Sequence, residues 1–184
     1  MCGRYQFSED NEVISEIIRN TGSAERIKTG EIFPTDRVPV FVGSGQAPRP
    51  VAGVWGFPKY RGKGVIINAR AETVLEKPMF RNVFLRSRCV IPSTGFYEWD
   101  KSKNKFLFNR KSTDILYMAG FTDIVNGEIR FVILTTGAAG VIAEIHERMP
   151  VVLDGEALRD WLYDSSAAVS MLDKKAPELV YKLC

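Results

Sequence analysis

Four side chains in this sequence have the chemistry to act on a substrate: Cys2, Asn68, Glu98 and His146. Cysteine in second position is distinctive because loss of Met1 leaves one residue bearing both a free α-amine and a thiol. An α-amine, with a pKa of about 7.7–8.0, is partly unprotonated at neutrality, whereas a lysine starts more than about two units higher. Such an amine condenses with an aldehyde to an imine. A thiol on the same residue, with an unperturbed pKa of about 8.5, then adds to the same carbon and closes a five-membered thiazolidine. The plain alternative is an ordinary residue at a frayed terminus.

His146 is the only histidine of the chain and lies in Ile145-His146-Glu147-Arg148-Met149-Pro150. No other side chain here has an unperturbed pKa between about 5 and 8, so it can carry a proton with little tuning. Glu98 sits among aromatics in Gly95-Phe96-Tyr97-Glu98-Trp99. If that strand is half buried, desolvation raises its pKa toward neutrality; if alternation turns it outward, it is an ordinary surface carboxylate. Asn68-Ala69-Arg70-Ala71-Glu72 ends a short apolar strand, where side chains often enter a site. Asn68 can hydrogen-bond a neutral group there. Arg4, Arg70 and Arg148 each lie within two residues of one of these candidates, and arginine clamps phosphate in bidentate fashion. Trp55, Phe57, Tyr97 and Trp99 can stack on bases or simply fill a core. Cys2 and His146 also have the types of a thiol-protease pair. A histidine cluster, a Gly-x-x-x-x-Gly-Lys loop and a Gly-x-Ser-x-Gly elbow are absent, so neither a metal nor a cofactor is expected.

The elements that must position these residues are short. Ser8, followed by Glu9 and Asp10, reads as the N-cap of a helix whose stripe is Val13, Ile14, Ile17 and Ile18 and which stops near Gly22. Runs of β type follow between Gly and Pro: 38–42, 51–57, 65–68, 88–91, 96–99, 105–109, 115–122 and 130–136. A helix is expected from Asp154, with Leu158, Trp161 and Leu162 on one side, and a shorter one after Ser166. The expected fold is α+β: one domain over 1–184, mainly antiparallel strands in a twisted, barrel-like sheet with a few flanking helices.

Hydrophobic content of 45% and charged content of 26% are those of a soluble globular chain with a substantial core. No apolar run approaches the roughly 18 residues that cross a bilayer, and the polar stretch from Ser8 to Asn11 is unlike a signal peptide. A cytoplasmic monomer without membrane contact is expected. Cysteines at 2, 89 and 184 form neither a disulfide framework nor a zinc pattern, and Cys89 reads as core. The formal net charge of +3 conceals an uneven distribution. From Lys59 to Arg88, eight basic residues face two acidic ones, while the rest of the chain holds 17 basic and 20 acidic. The segment is either a face for a polyanion or a solvated loop.

Met1-Cys2-Gly3-Arg4-Tyr5, Asn68-Ala69-Arg70-Ala71-Glu72-Thr73, Arg88-Cys89-Val90-Ile91-Pro92 running into Gly95-Phe96-Tyr97-Glu98-Trp99, and Ile145 to Pro150 occur in an order that resembles the SOS response-associated peptidase family. Trp55-Gly56-Phe57 and Thr135-Thr136 also fit, although the stretch after Trp55 is shorter than the family's pattern. The resemblance implies binding of single-stranded DNA and covalent capture of abasic sites by Cys2 once Met1 is removed. Asn68 and His146 would orient and activate the opened sugar, and Glu98 would handle protons. Arg4, Arg70 and Arg148 would hold flanking phosphates with Thr135 nearby, Pro34 would edge the DNA channel, and Trp55 and Trp99 would line it. Two other readings remain open at this point: a cysteine peptidase acting on Met1 or another substrate, and a non-covalent single-strand binder.

Overall fold

The computed structural model describes residues 2–22 and 26–184. Its strands are β1 (Tyr5–Phe7), β2 (Gly30–Ile32), β3 (Arg37–Ser44), β4 (Ala47–Trp55), β5 (Phe57–Pro58), β6 (Val65–Ile66), β7 (Asn68–Arg70), β8 (Arg88–Ser93), β9 (Gly95–Trp99), β10 (Lys105–Arg110), β11 (Leu116–Val125), β12 (Glu128–Gly137), β13 (Arg148–Pro150), β14 (Val152–Leu153) and β15 (Leu179–Leu183). The α-helices are α1 (Glu12–Asn20), α2 (Pro78–Arg86), α3 (Leu158–Tyr163) and α4 (Ser165–Met171).

Five of the strands close on themselves. β3 pairs with β4, β4 with β12, β12 with β11, β11 with β8, and β8 returns to β3; only the β4–β12 contact is parallel. This is the α+β, mainly antiparallel, barrel-like architecture expected from the short strands. Closure gives each of these five strands a neighbour on both sides, with β4 meeting β12 and β3 meeting β8 over two residue pairs each. A second, antiparallel sheet runs β15-β10-β9-β1-β2.

Alternation along the barrel strands separates two core clusters. Cys89, Ile91, Met118, Phe131 and Ile133 pack with Tyr5, Phe7, Phe96 and Phe108 of the second sheet. Their neighbours Val90, Ala119, Phe121, Val132 and Leu134 turn the other way and pack with Phe80 and Phe84 of α2, Trp161 of α3 and Ala168 of α4. Burial on both faces is why these strands read as nearly continuous apolar runs. Phe121 takes edge contacts from Phe57, Phe80 and Phe84 at centroid distances of 5.8, 5.5 and 6.2 Å. Burying that one ring stabilises the fold by about 2–3 kcal/mol.

Two glycines connect the layers. Gly95 lets the chain leave the barrel in β8 and enter the second sheet in β9: a Cβ there would lie 2.7 Å from the Phe108 carbonyl oxygen. Gly56 adopts φ +110° and breaks the expected 51–57 strand into β4 and β5.

Several expectations shift. The cap of α1 is Asn11, whose side chain accepts from the N–H groups of Val13 and Ile14, while Ser8 bonds Asp10 instead. Val13 is consequently 45% exposed, and Ile14 and Ile17 face the core. The helix expected at Asp154 begins with a 3-10 turn, Gly155–Ala157, and becomes α-helical at Leu158. Helix α2 and strands β1, β2, β13, β14 and β15 are additions to the sequence reading.

Candidate active site

Strand β1 delivers Cys2 to the seam between barrel and second sheet. It lies between β2 and β9, with Tyr5 opposite Phe96 and the Tyr97 N–H donating to the Arg4 carbonyl at 2.9 Å. Extending that register by two residues sets Glu98 opposite Gly3, beside Cys2. From the barrel, β7 runs parallel to β12 with Asn68 paired to Ile133, and the Asn68 Nδ2 donates to the Cys2 carbonyl at 2.9 Å. The Asn68 Oδ1 is buried and has no hydrogen-bond partner among the described residues. The asparagine thus holds the backbone of residue 2 and keeps one acceptor in reserve.

Cys2 is fully buried, and its Sγ lies 3.8 Å from the Arg4 carbonyl oxygen. Burial pushes the thiol far above its ordinary pKa, and the charge of Glu98 pushes it further. Both effects favour the neutral thiol at rest. Removal of Met1 concerns a residue outside the described ones.

Glu98 is 2% exposed, and desolvation pushes its carboxyl up to about 7. Of the two sequence-level readings, burial among aromatics is the one the fold adopts. His146 presents Nε2 to Glu98 Oε2 at 3.7 Å. The other ring nitrogen, Nδ1, lies 3.1 Å from both the backbone N–H and the carbonyl of Arg148. A neutral ring can accept that N–H and direct its own proton at Glu98; a charged ring can donate to the carbonyl instead. Both protonation states of His146 find a backbone partner without rotation.

The arginines surround this centre in different ways. Arg148 grips Glu72 in bidentate fashion at 2.6 and 3.0 Å and donates to the Thr135 carbonyl and hydroxyl at 2.7 and 3.2 Å. Those bonds hold the Glu72 carboxyl below its ordinary pKa. Arg70, paired with Thr135 in the β7–β12 register, is exposed and makes no hydrogen bond or ion pair among the described residues. Arg4 donates to Glu31 at 2.7 Å, with its guanidinium carbon 3.6 Å above the ring of Phe33 and 5.7 Å from that of Trp99. Phe33 is presented by a tight turn in which Pro34 precedes Thr35 at φ +77° and the Asp36 N–H closes on the Phe33 carbonyl at 3.0 Å. Pro34 therefore stands at the rim beside Arg4's aromatic platform.

Other assignments change. Trp55 is fully buried between Tyr5 and Phe131, with its indole N–H on the Ile67 carbonyl at 3.0 Å. It is wall rather than stacking surface, because no ring face reaches solvent. Phe57 and Tyr97 are also buried, whereas Trp99 remains partly open. Within the basic segment 59–88, Lys59, Arg61 and Lys63 lie in the exposed loop between β5 and β6 and Arg70 is exposed at the end of β7, whereas Arg88 is buried and lost to any polyanion. Cys89 is core, as expected. Glu31 and Lys105, which nothing local in the sequence marks, meet beside Arg4: one Glu31 oxygen accepts from both cations at 2.7 Å. Among the described residues no cluster of three or more His, Cys, Asp or Glu side chains could hold a metal ion, and no helix is long and apolar enough to cross a membrane.

The family model for the SOS response associated peptidase domain matches residues 1–182. The chain belongs to this family. It is 32% identical over 179 residues to the abasic site processing protein YoqW of Bacillus subtilis, a match covering 88% of this chain and 80% of the relative. It is 34% identical over 116 residues to the abasic site processing protein YedK of Escherichia coli, covering 59% of this chain and 52% of that one. A crystal structure of a Bordetella bronchiseptica protein superposes with a TM-score of 0.79 at 24% identity, covering 100% of this chain and 99% of the other, and so shares the fold.

Proposed function

We propose that this chain processes abasic sites in single-stranded DNA, capturing the ring-opened sugar covalently through Cys2 once Met1 is gone. The observation that carries the reading is the convergence of four groups from separate elements: the Cys2 backbone held by Asn68, with the Glu98–His146 pair beside it. Names of family relatives as abasic site processing proteins support the substrate class.

The chemistry balances with these groups alone. The free Cys2 amine adds to the sugar aldehyde, forming a C–N bond. Protonation of the carbinolamine hydroxyl by an acid, Glu98 or His146, expels water and leaves a protonated imine. The neutral Cys2 thiol then adds to the iminium carbon; its proton returns to the conjugate base of that acid, and the nitrogen keeps its own proton as the secondary amine of the thiazolidine. Glu98, with a pKa of about 7, can both give and take a proton near neutrality. Ring closure is intramolecular and so gains the large effective concentration of a tethered nucleophile. Arg4, Arg70 and Arg148 flank this centre as phosphate ligands, with Thr135 fixing Arg148 and with Pro34 and Trp99 at the rim.

A cysteine peptidase needs a readily formed thiolate. Burial pushes Cys2 the opposite way, which favours an amine-first route in which the thiol acts second. The test is incubation of Met1-free protein with single-stranded DNA bearing one abasic site. A denaturation-resistant adduct at Cys2 is expected, located by mass spectrometry; the Cys2→Ala variant and a chain retaining Met1 should give none. Adduct from Cys2→Ala at the wild-type level would overturn the proposal.

A further inference from the structure

Arg4, just before β1, and Lys105, in β10, reach one oxygen. Lys105 opens β10 in register with Trp99, and its Nζ lies 2.7 Å from Glu31 Oε1, as does the Nη1 of Arg4. Aromatic rings line both cations: Lys105 is 4.0 Å from the Tyr97 ring centroid and 5.9 Å from that of Trp99, while Arg4 rests on Phe33. The side chains are 27% exposed for each cation and 30% for Glu31, so the cluster is open to a ligand from solution. Burial raises the pKa of Glu31, but the hydrogen bonds from Lys105 and Arg4 outweigh it and hold the carboxyl below its ordinary value. Glu31 is thus a persistent anion bridging two cations.

The fit is incomplete in a telling way. One carboxylate oxygen serves both cations, and the Arg4 Nε is buried without a hydrogen-bond partner. A phosphodiester carries the same single negative charge and offers two non-bridging oxygens to the same donors. Glu31, released into water, is readily screened there.

We propose that Lys105 is a further phosphate-binding residue of the DNA face and that Glu31 is its built-in competitor, occupying Lys105 and Arg4 until a phosphate displaces it. The inference rests on the DNA-binding reading above. Its consequence is selectivity: a phosphate held only at this point must exchange with a resident anion and gains little, whereas one positioned by the rest of the site displaces Glu31 and engages two cations.

Fluorescence anisotropy on undamaged single-stranded DNA across a salt series tests this without interference from covalent capture. Glu31→Gln should tighten binding by roughly threefold to tenfold and steepen the log–log salt slope by about 0.7, one single-strand contact. Lys105→Met should flatten the slope by a similar amount and, in the double variant, cancel most of the gain. If Glu31 merely positions Arg4, Glu31→Gln weakens binding or leaves it unchanged, and the proposal falls while the DNA reading stands. An unaltered slope in Lys105→Met also overturns it. If the wild type itself binds no single-stranded DNA, the parent reading fails and takes this one with it. Thermal unfolding of each variant confirms that the binding change belongs to a folded protein.

Discussion

Two arginines of this fold, one in the helical layer and one at the candidate site, are satisfied in different ways. Arg88, 6% exposed, sends all of its donors into the helical layer: Nε to the Trp161 carbonyl at 2.6 Å, Nη1 to the carbonyls of Phe84 and Leu85 at 3.2 and 2.8 Å and to the Ser165 hydroxyl at 3.1 Å, and Nη2 to the Leu162 carbonyl at 3.4 Å. These carbonyls belong to the last turns of α2 and α3, groups that have no acceptor role inside their own helices. One guanidinium therefore closes two helix ends. Arg148 is bound to a glutamate side chain, to Thr135 and to nothing through its buried Nε. Backbone carbonyls cannot leave unless their element unravels, whereas a glutamate can rotate into solvent. The first arginine is committed wholly to the fold, and the second divides its donors between the fixed Thr135 and a glutamate it can exchange.

Substituting each arginine identically tests that contrast. Arg88→Met should cost about 3–5 kcal/mol, because it strands buried carbonyls at two helix ends. Arg148→Met should cost less, about 1–2 kcal/mol, since Glu72 returns to water and only Thr135 loses a buried donor, yet it should weaken DNA binding clearly. Urea unfolding of the two variants gives the comparison, and equal losses would erase it.

A smaller effect separates the buried charges of the two regions by pH. The folded pKa of Glu98, about 7, lies above the ordinary 4.5 of the unfolded chain, so the native state binds more protons between these values. Wild-type stability should accordingly fall as pH rises through that window, by on the order of 2 kcal/mol relative to Glu98→Gln, which cannot ionise. Unfolding free energies of both proteins on either side of the window measure the difference; a constant gap would place Glu98 among ordinary carboxylates. The smallest stability effect belongs to Arg70→Ala. Exposed and unpartnered, Arg70 should change stability by less than about 0.5 kcal/mol, while its loss lowers the salt slope of single-strand binding by about 0.7. A marked loss of stability would show that Arg70 belongs with Arg88.

The parts of the molecule legible from sequence are those with local causes. The strands around Arg88–Ile91 and Arg130–Thr136 are evident because both faces are buried, and the helix after Asp154 follows from its apolar stripe, Trp161 and Leu162 being buried, although Asp154 itself makes no side-chain cap. Helix α2 has signals too, Pro78 at its first position and Phe80 four residues before Phe84, but its mean polarity hides them. Strands β1 and β2 are three residues each and exist only because they pair with each other and β9. The same divide applies to the site. Cys2, Asn68, Glu98 and His146 stand out by type and motif, and Glu98's burial follows from its aromatic neighbours. Trp55 and Trp99 look alike in sequence, and only the packing of Tyr5 and Phe131 against Trp55 sends one into the core. Lys105 meets Glu31 across 74 residues of chain, a pairing that no local pattern announces.

The bond from Asn68 to Cys2 has an economy of placement. It grips the acyl oxygen of residue 2, an atom that neither maturation nor the proposed condensation alters. Methionine, hydrogen or a sugar carbon can occupy the nitrogen of that residue while the oxygen stays moored to the barrel. Precursor, mature chain and adduct would then share one coordinate origin, and the reacting atoms would change identity without changing address.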